Sequence, residues 1–189
     1  LNIISGHDPH DNTTLDNGKP DYAKDLDAGI SGKKIGIISE MIGDGIDKDV
    51  VSATNRAVSK LQRLGAECIP ISIDSAVHSV AAYYTIASAE ASSNLARYDN
   101  IRYGYNFDLE GYEFNAYISK ARSSFGPEVT RRMLLGAFVL SAGYYGKYYL
   151  KAQKVRSLIK AQLDTAFKKV DLLVAPTMPI LPFKIGEKI

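Results

Sequence analysis

The most constraining feature of the sequence is a strand–helix–strand pattern over residues 33–73. Residues 34–39, KIGIIS, form a nearly continuous apolar run, which is typical of a strand covered on both faces of a parallel sheet. Asp47 is placed to cap a helix whose apolar residues then recur at helical spacing. A second strand is predicted over 68–73, where Pro70 favours a sheet edge or a bulge. This βαβ unit predicts an α/β fold with a right-handed crossover.

The remainder of the chain reads mainly as helix. Residues 1–32 are predicted to be an irregular connection, because their second part is polar and rich in Asp, Asn, Gly and Pro. Residues 74–189 are predicted to form a helical region that ends in a strand. Within that region the spacing of apolar residues predicts a helix over 75–98, a long loop with room for short helical turns over 99–117, a helix over 127–141, a kink at 143–146, a long helix ending near Val170 and a strand over 171–175.

We therefore expect helices packed on a mixed, partly parallel sheet. The length of 189 residues suits one domain or a large piece of one. The chain begins at Leu1 rather than Met, and no helix or strand is predicted after the proline-rich residues 176–182. We accordingly expect a single fragment, 1–189, of a longer domain whose sheet is completed by other segments.

Composition excludes several classes of protein. The 23 basic and 21 acidic residues give a formal charge of +2, and no block of like charges suggests a nucleic-acid-binding tail. The single cysteine, Cys68, excludes a disulfide within one chain and is compatible with a reducing cytosol. Apolar runs such as 134–140 are far shorter than the roughly 20 residues that a membrane span requires. We expect a soluble, cytoplasmic protein that does not associate with membranes.

The opening segment SGHDPHDNTT contains two of the three histidines together with two aspartates. A metal site at His7, Asp8, His10 and Asp11 is one interpretation. Pro9 disfavours helical spacing of these side chains, and little nearby would orient them as zinc ligands. The favoured alternative is a turn in which the aspartates accept hydrogen bonds from nearby backbone amides.

Other short motifs have weak chemical interpretations. Residues 43–45, Gly-Asp-Gly, precede a helix but lack the patterns of a phosphate loop, so a tight turn is favoured. Ser157 and Lys160 match the S-x-x-K motif of serine acyltransferases, although the companion motifs are missing. The pair Arg131 and Arg132 near a helix start could bind an anion through parallel guanidinium hydrogen bonds, or could be a solvated face.

Three long stretches resemble one known family. They are residues 82–105 (AYYTIASAEASSNLARYDNIRYGY), 125–159 (FGPEVTRRMLLGAFVLSAGYYGKYYLKAQKVRSLI) and 170–179 (VDLLVAPTMP). In this order they are similar to the amidase signature family, and within it to the glutaminase subunits, called A, of tRNA-dependent amidotransferases. The opening segment resembles the family's G-x-D-P-x-D-[SA]-T motif, with Asn12 in place of the usual small residue. This resemblance, which covers essentially the whole chain, also implies a structural turn there.

The resemblance implies that glutamine is hydrolysed by a lysine, a cis-serine and a nucleophilic serine. Ammonia would then pass to a partner, the B component of the amidotransferase, where ATP and Mg²⁺ serve to activate misacylated glutamate on tRNA. A serine nucleophile needs a base within hydrogen-bond reach and amides that hold the oxyanion. The family's glycine- and serine-rich signature does not occur in the 189 residues. We therefore assign no catalytic residue, metal ligand or cofactor to this chain and expect it to be inactive alone.

Two residues are implied to hold glutamine. Tyr83 begins the Y-Y-x-I-A motif and would donate a hydrogen bond, while Arg132 is the second arginine of R-R-x-x-L-G and would pair with the α-carboxylate. The adjacent Tyr84 and Arg131 are the alternative placement. The implied partners are the B and C components of the amidotransferase and, through the complex, misacylated tRNA.

Two other functions fit the same sequence. The chain could belong to another amidase-signature hydrolase that acts on small amides, or it could be a non-catalytic module that docks the B and C components. The stretch EASSNLARYDNIRYGY, residues 90–105, favours the tRNA-dependent enzyme.

Overall fold

The computed structural model describes residues 1–105, 108 and 110–187. These residues form two compact units, one containing Leu1–Ile71 and Phe167–Ile189 and the other containing Ser72–Ala166. No helix of the described residues is both long and apolar enough to cross a bilayer. The strands and α-helices, in chain order, are β1 (Lys34–Ile38), α1 (Lys48–Arg63), β2 (Glu67–Ile71), α2 (Ser79–Leu95), α3 (Phe114–Arg122), α4 (Pro127–Leu140), α5 (Tyr149–Ala166) and β3 (Leu172–Val174).

The first unit contains a three-stranded sheet with the order β2-β1-β3. Both pairings are parallel, with Ile35 opposite Cys68 on one side and opposite Leu172 on the other. The α/β class is confirmed, and every pairing between the described strands is parallel rather than mixed. Strand β2 lies at an edge of this sheet, as the position of Pro70 predicted, because a proline has no N–H to donate to a further strand.

Gly36 gives the central strand room for its neighbours. A Cβ atom at this position would lie 2.7 Å from Ile71 Cγ1 and 2.7 Å from Leu173 Cδ2, so the side chains of both flanking strands close over the glycine. Ile35, next in the strand, is only 1% exposed and points into the core. After the exposed Lys34, the apolar residues 35–38 are therefore covered by protein, as their composition predicted.

Helix α1 begins where the sequence predicted. The Asp47 side chain accepts a hydrogen bond from the backbone N–H of Asp49 at 2.8 Å, which is the expected N-cap contact. The Asp47 N–H donates to the carbonyl oxygen of Pro179 at 2.8 Å and fixes the start of the helix within the unit. After the helix, Gly65 adopts a φ of +92°, a conformation that favours glycine.

In the second unit, α2 packs against both α4 and α5. The approach of α2 and α4 is closest at Gly136, where an added Cβ would overlap the carbonyl oxygen of Ser88 and lie 2.6 Å from the Cβ of Ser92. Ser88 is 1% exposed at this contact. Glycine is required at position 136 because any side chain would push the two backbones apart.

Several predicted boundaries in this unit were wrong. The loop predicted over 99–117 overlaps α3, which begins at Phe114. Tyr117, 2% exposed, is buried in this helix, and its hydroxyl donates to the Asn100 carbonyl oxygen at 2.9 Å. This contact joins residues 17 positions apart and cannot be read from local periodicity.

The other boundary differences follow from local backbone geometry and burial. The start of the helix predicted over 75–98 is a 3₁₀ turn, Asp74–His78, followed by α2. The predicted kink is a break, since α4 ends at Leu140, Ser141 is extended, and α5 begins at Tyr149. Helix α5 ends at Ala166, before the predicted position near Val170, which is buried at 5% exposure in the first unit.

We predict that Gly136→Ala destabilises the chain by about 1–3 kcal/mol, because the new methyl group has no space beside Ser88. Urea unfolding would measure the change. Gly143→Ala is the matched control, because a Cβ at Gly143 meets nothing within 4 Å. Equal stability of the two variants would contradict the close approach of α2 and α4.

Candidate functional site

The candidate site lies where α2 and α4 present side chains one turn before their closest contact. Arg132 precedes Gly136 by four residues, and Tyr84 precedes Ser88 by four residues. Residues four apart lie on the same helix face, and one turn before the contact at Gly136 and Ser88 the side chain of Arg132 lies beside Tyr84. The guanidinium carbon of Arg132 lies 5.9 Å from the centre of the Tyr84 ring, within the range of a cation–π interaction.

Both arginines of the predicted pair bind one carboxylate, that of Glu128 in the first turn of α4. Arg131 donates from Nε at 2.7 Å and from Nη2 at 2.8 Å, in a bidentate arrangement. Arg132 donates from Nε to Oε1 at 2.8 Å. The spacing of three and four residues places all three side chains on one face of the helix.

The charges of this cluster stabilise one another. Hydrogen bonds from Arg131 and then Arg132 lower the pKa of Glu128 from 4.5 to about 2. The hydrogen bonds to Glu128 also raise the pKa of both arginines, and contact with Tyr83 raises the pKa of Arg132 further. Glu128 is therefore a carboxylate held by two cations at any physiological pH.

The two tyrosines form the other half of the site. Their ring centres lie 5.3 Å apart at an angle of 65°. Tyr83 and Tyr84 are 55% and 41% exposed, so both rings reach solvent. The structure thus brings together the residues of both placements, Tyr83 with Arg132 and Tyr84 with Arg131.

The environment differs between the two arginines. The side chain of Arg132 is 32% exposed and contacts both tyrosines, whereas that of Arg131 is 53% exposed. Arg132 is therefore the more covered of the two cations and lies at the tyrosine side of the cluster. Sequence reasoning missed Glu128, although its position three and four residues before the arginines is the usual spacing of ion pairs in helices.

The histidine-containing opening segment forms turns. Asp8 accepts a hydrogen bond from the N–H of His10 at 2.9 Å, and Asp11 accepts one from the N–H of Thr13 at 2.9 Å. The hydroxyl of Thr13 also donates to Asp11 and is the first cause of a lowered pKa of that carboxylate. These contacts are the ones predicted by the turn interpretation.

The residues of the S-x-x-K match form local contacts within α5. The Ser157 hydroxyl donates to the Gln153 carbonyl oxygen at 3.0 Å, and Lys160 pairs with Asp164 at 2.6 Å. These contacts explain both side chains as parts of an ordinary helix surface.

The Gly-Asp-Gly segment is a tight turn, as predicted. The N–H of Ile46 donates to the carbonyl oxygen of Gly43 at 3.1 Å. Gly45 has a φ of +83°, which a glycine adopts without strain.

A comparison with protein-family models matches residues 1–189 to the family described as Amidase. Among curated proteins, the chain is 55% identical over 188 residues to the A subunit of glutamyl-tRNA(Gln) amidotransferase from Cenarchaeum symbiosum, and 51% identical over 189 residues to that from Carboxydothermus hydrogenoformans. All of this chain is covered in both cases, but it spans only 39% of each relative.

Solved structures show the same likeness. The crystal structure of the A subunit of glutamyl-tRNA(Gln) amidotransferase from Thermotoga maritima matches with a TM-score of 0.68 and 36% identity, covering 98% of this chain and 35% of that one. A bacterial aryl acylamidase of the amidase signature family matches with a TM-score of 0.72 over 97% of this chain and 34% of that one. The latter shares 19% identity, so it shows similarity of fold alone.

We predict that the Glu128 carboxyl titrates at about pH 2 when its ¹³C NMR signal is followed. Because its pKa in the folded chain lies below the ordinary 4.5, its contribution to stability is present above about pH 4.5 and is lost as the pH falls toward 2. Arg131→Gln should raise the pKa more than Arg132→Gln, and Lys160→Gln should leave it unchanged. A wild-type midpoint near 4.5 would contradict the cluster.

Proposed function

The chain belongs to the amidase family, and from this premise we propose that it forms part of the glutamine-hydrolysing A subunit of a tRNA-dependent amidotransferase. The names of its relatives and their identities of 55% and 51% support this proposal. In this role the whole protein supplies ammonia from glutamine for converting Glu-tRNA(Gln) to Gln-tRNA(Gln). Since the chain spans 39% of those relatives, the activity is proposed for the whole protein.

The observation that carries the proposal is that Tyr83 contacts Arg132 next to the carboxylate of Glu128. Glu128 demonstrates the chemistry, because its side chain is already held by guanidinium hydrogen bonds of 2.7–2.8 Å. Free glutamine carries an α-carboxylate of the same kind. A partly covered guanidinium next to two phenol groups can orient such a carboxylate by charge and by hydrogen bonds.

Each residue has a distinct role in this proposal. Arg132 pairs with the α-carboxylate of glutamine, and the Tyr83 hydroxyl donates a hydrogen bond to the substrate. Glu128 is a positioning residue, because its hydrogen bond to Nε of Arg132 fixes the plane of the guanidinium. Arg131 neutralises Glu128 through its bidentate contact, so that a second carboxylate is not repelled from the cluster.

The chemical step is proposed to use groups other than those of this chain. Attack on the side-chain amide requires an activated nucleophile, a base within reach and donors for the oxyanion. Ser157 donates to its own helix, and Lys160 pairs with Asp164. We assign the nucleophile to the glycine- and serine-rich loop of the family, which is not among the 189 residues.

The other components of the reaction are also proposals. The B and C components of the amidotransferase are the partners, misacylated tRNA is bound through the complex, and the protein acts in the cytoplasm. ATP and Mg²⁺ are assigned to the B component. The described residues of this chain contain no cluster of three or more His, Cys, Asp or Glu side chains that fits a metal ion.

We predict that the chain binds glutamine weakly and that Arg132→Gln weakens this binding by about 10-fold or more, because a charge-assisted pair to the α-carboxylate is lost. NMR titration with glutamine would measure the change. Arg131→Gln is the matched control and should have a smaller effect. If Arg131→Gln caused the larger loss, the alternative placement with Tyr84 would be correct.

We further predict that the 189-residue chain alone releases no ammonia from glutamine. The same chain extended upstream to include the family's catalytic lysine and serine loop should release ammonia, because the nucleophile, its base and the oxyanion donors are then present. A coupled assay for ammonia would measure both. Activity of the short chain would contradict the proposal, and activity of the extended chain on small amides but not on glutamine would favour the alternative hydrolase.

A further inference from the structure

A groove of about 370 Å³ lies between α2 and α5. None of the tyrosines, arginines or Glu128 of the candidate site lines it. Its apolar lining consists of small side chains, those of Ala81, Ala82, Ala152 and Val155. A volume near the lower end of ligand pockets suits a small molecule with an apolar body.

One wall of the groove is the ring of Tyr148, which is held in place by other aromatic side chains. Its centre lies 5.8 Å from that of Phe138 and 5.9 Å from that of Tyr144, with which it is stacked at 28°. Tyr148 is 41% exposed, so part of its ring is available. A ring fixed in this way can contact an aryl or alkyl group at little cost in conformational entropy.

The rim of the groove carries positive charge. Lys147 and Lys151 line it together with His78, and no Asp or Glu does. In the part of the chain that the structure describes, neither lysine belongs to an ion pair. An anion in the groove therefore meets the positive charges of two lysines that line it together.

We propose that this groove binds a small monoanion with an apolar body, an aryl- or alkyl-carboxylate. Its carboxylate pairs with Lys147 and Lys151, and its body lies over the alanines and against Tyr148. The hydroxyl of Thr85 already donates to the Ala81 carbonyl oxygen at 2.8 Å, and no acidic side chain lines the groove to pair with an ammonium group. A zwitterionic amino acid is therefore a poorer ligand than a simple carboxylate, and this site is independent of the proposed glutamine site.

The test compares 4-phenylbutyrate with 4-phenylbutan-1-ol, which has the same body without the charge, by NMR titration of the full chain. We expect the alcohol to bind about 10-fold more weakly, since it loses the charge-assisted contacts. Lys147→Gln combined with Lys151→Gln should weaken binding of the carboxylate about 10-fold and leave that of the alcohol unchanged. Lys154→Gln, an exposed change on α5 outside the groove, should alter neither.

A second variant tests the apolar part of the groove. Ala81→Leu adds bulk at an exposed position of α2 and should abolish binding of both compounds without disturbing the core. Equal affinity for acid and alcohol would overturn the role of the lysines. The absence of binding in wild type, or binding that survives Ala81→Leu, would overturn the site itself.

Discussion

The close contact of α4 with α2 at Gly136 determines the geometry of the candidate site. No side chain separates the two helices at this position, so the backbone of α4 lies directly against the carbonyl group of Ser88. One turn earlier on each helix stand Arg132 and Tyr84, and the same contact therefore places a cation over an aromatic ring. The proposed site therefore depends on Gly136, because a methyl group there would separate the two helices four residues from Arg132.

Electrostatics within α4 complete this arrangement. Long arginine side chains on a helix surface sample many rotamers, and fixing them costs free energy. Glu128 accepts three hydrogen bonds from the two guanidinium groups, and these bonds fix both side chains before any ligand arrives. In the proposed site, a carboxylate of the protein would thus preorganise the cations for a carboxylate of the substrate.

The features that depend on the local sequence pattern were predicted correctly. The apolar run of β1 and the capping role of Asp47 follow from rules that act within a few residues. The start of α3 and the end of α5 did not follow from such rules. Tyr117 and Val170, near these ends, are buried against residues distant in sequence, such as Asn100 and Gly36. That Tyr83 and Arg132 hold glutamine stays a prediction from the resemblance, and the motifs could not distinguish Arg132 from Arg131, since adjacent arginines differ only in the environment that packing gives them.

Packing of α2 on α4 is proposed to direct Arg132 toward a substrate carboxylate. The most direct measurement is a crystal structure of the chain soaked with glutamine at high concentration. We predict an α-carboxylate oxygen within about 3 Å of the Arg132 guanidinium, with the Tyr83 hydroxyl in contact with the same molecule. Glutamine bound to Arg131 alone, or bound away from both helices, would contradict this role of the helix packing.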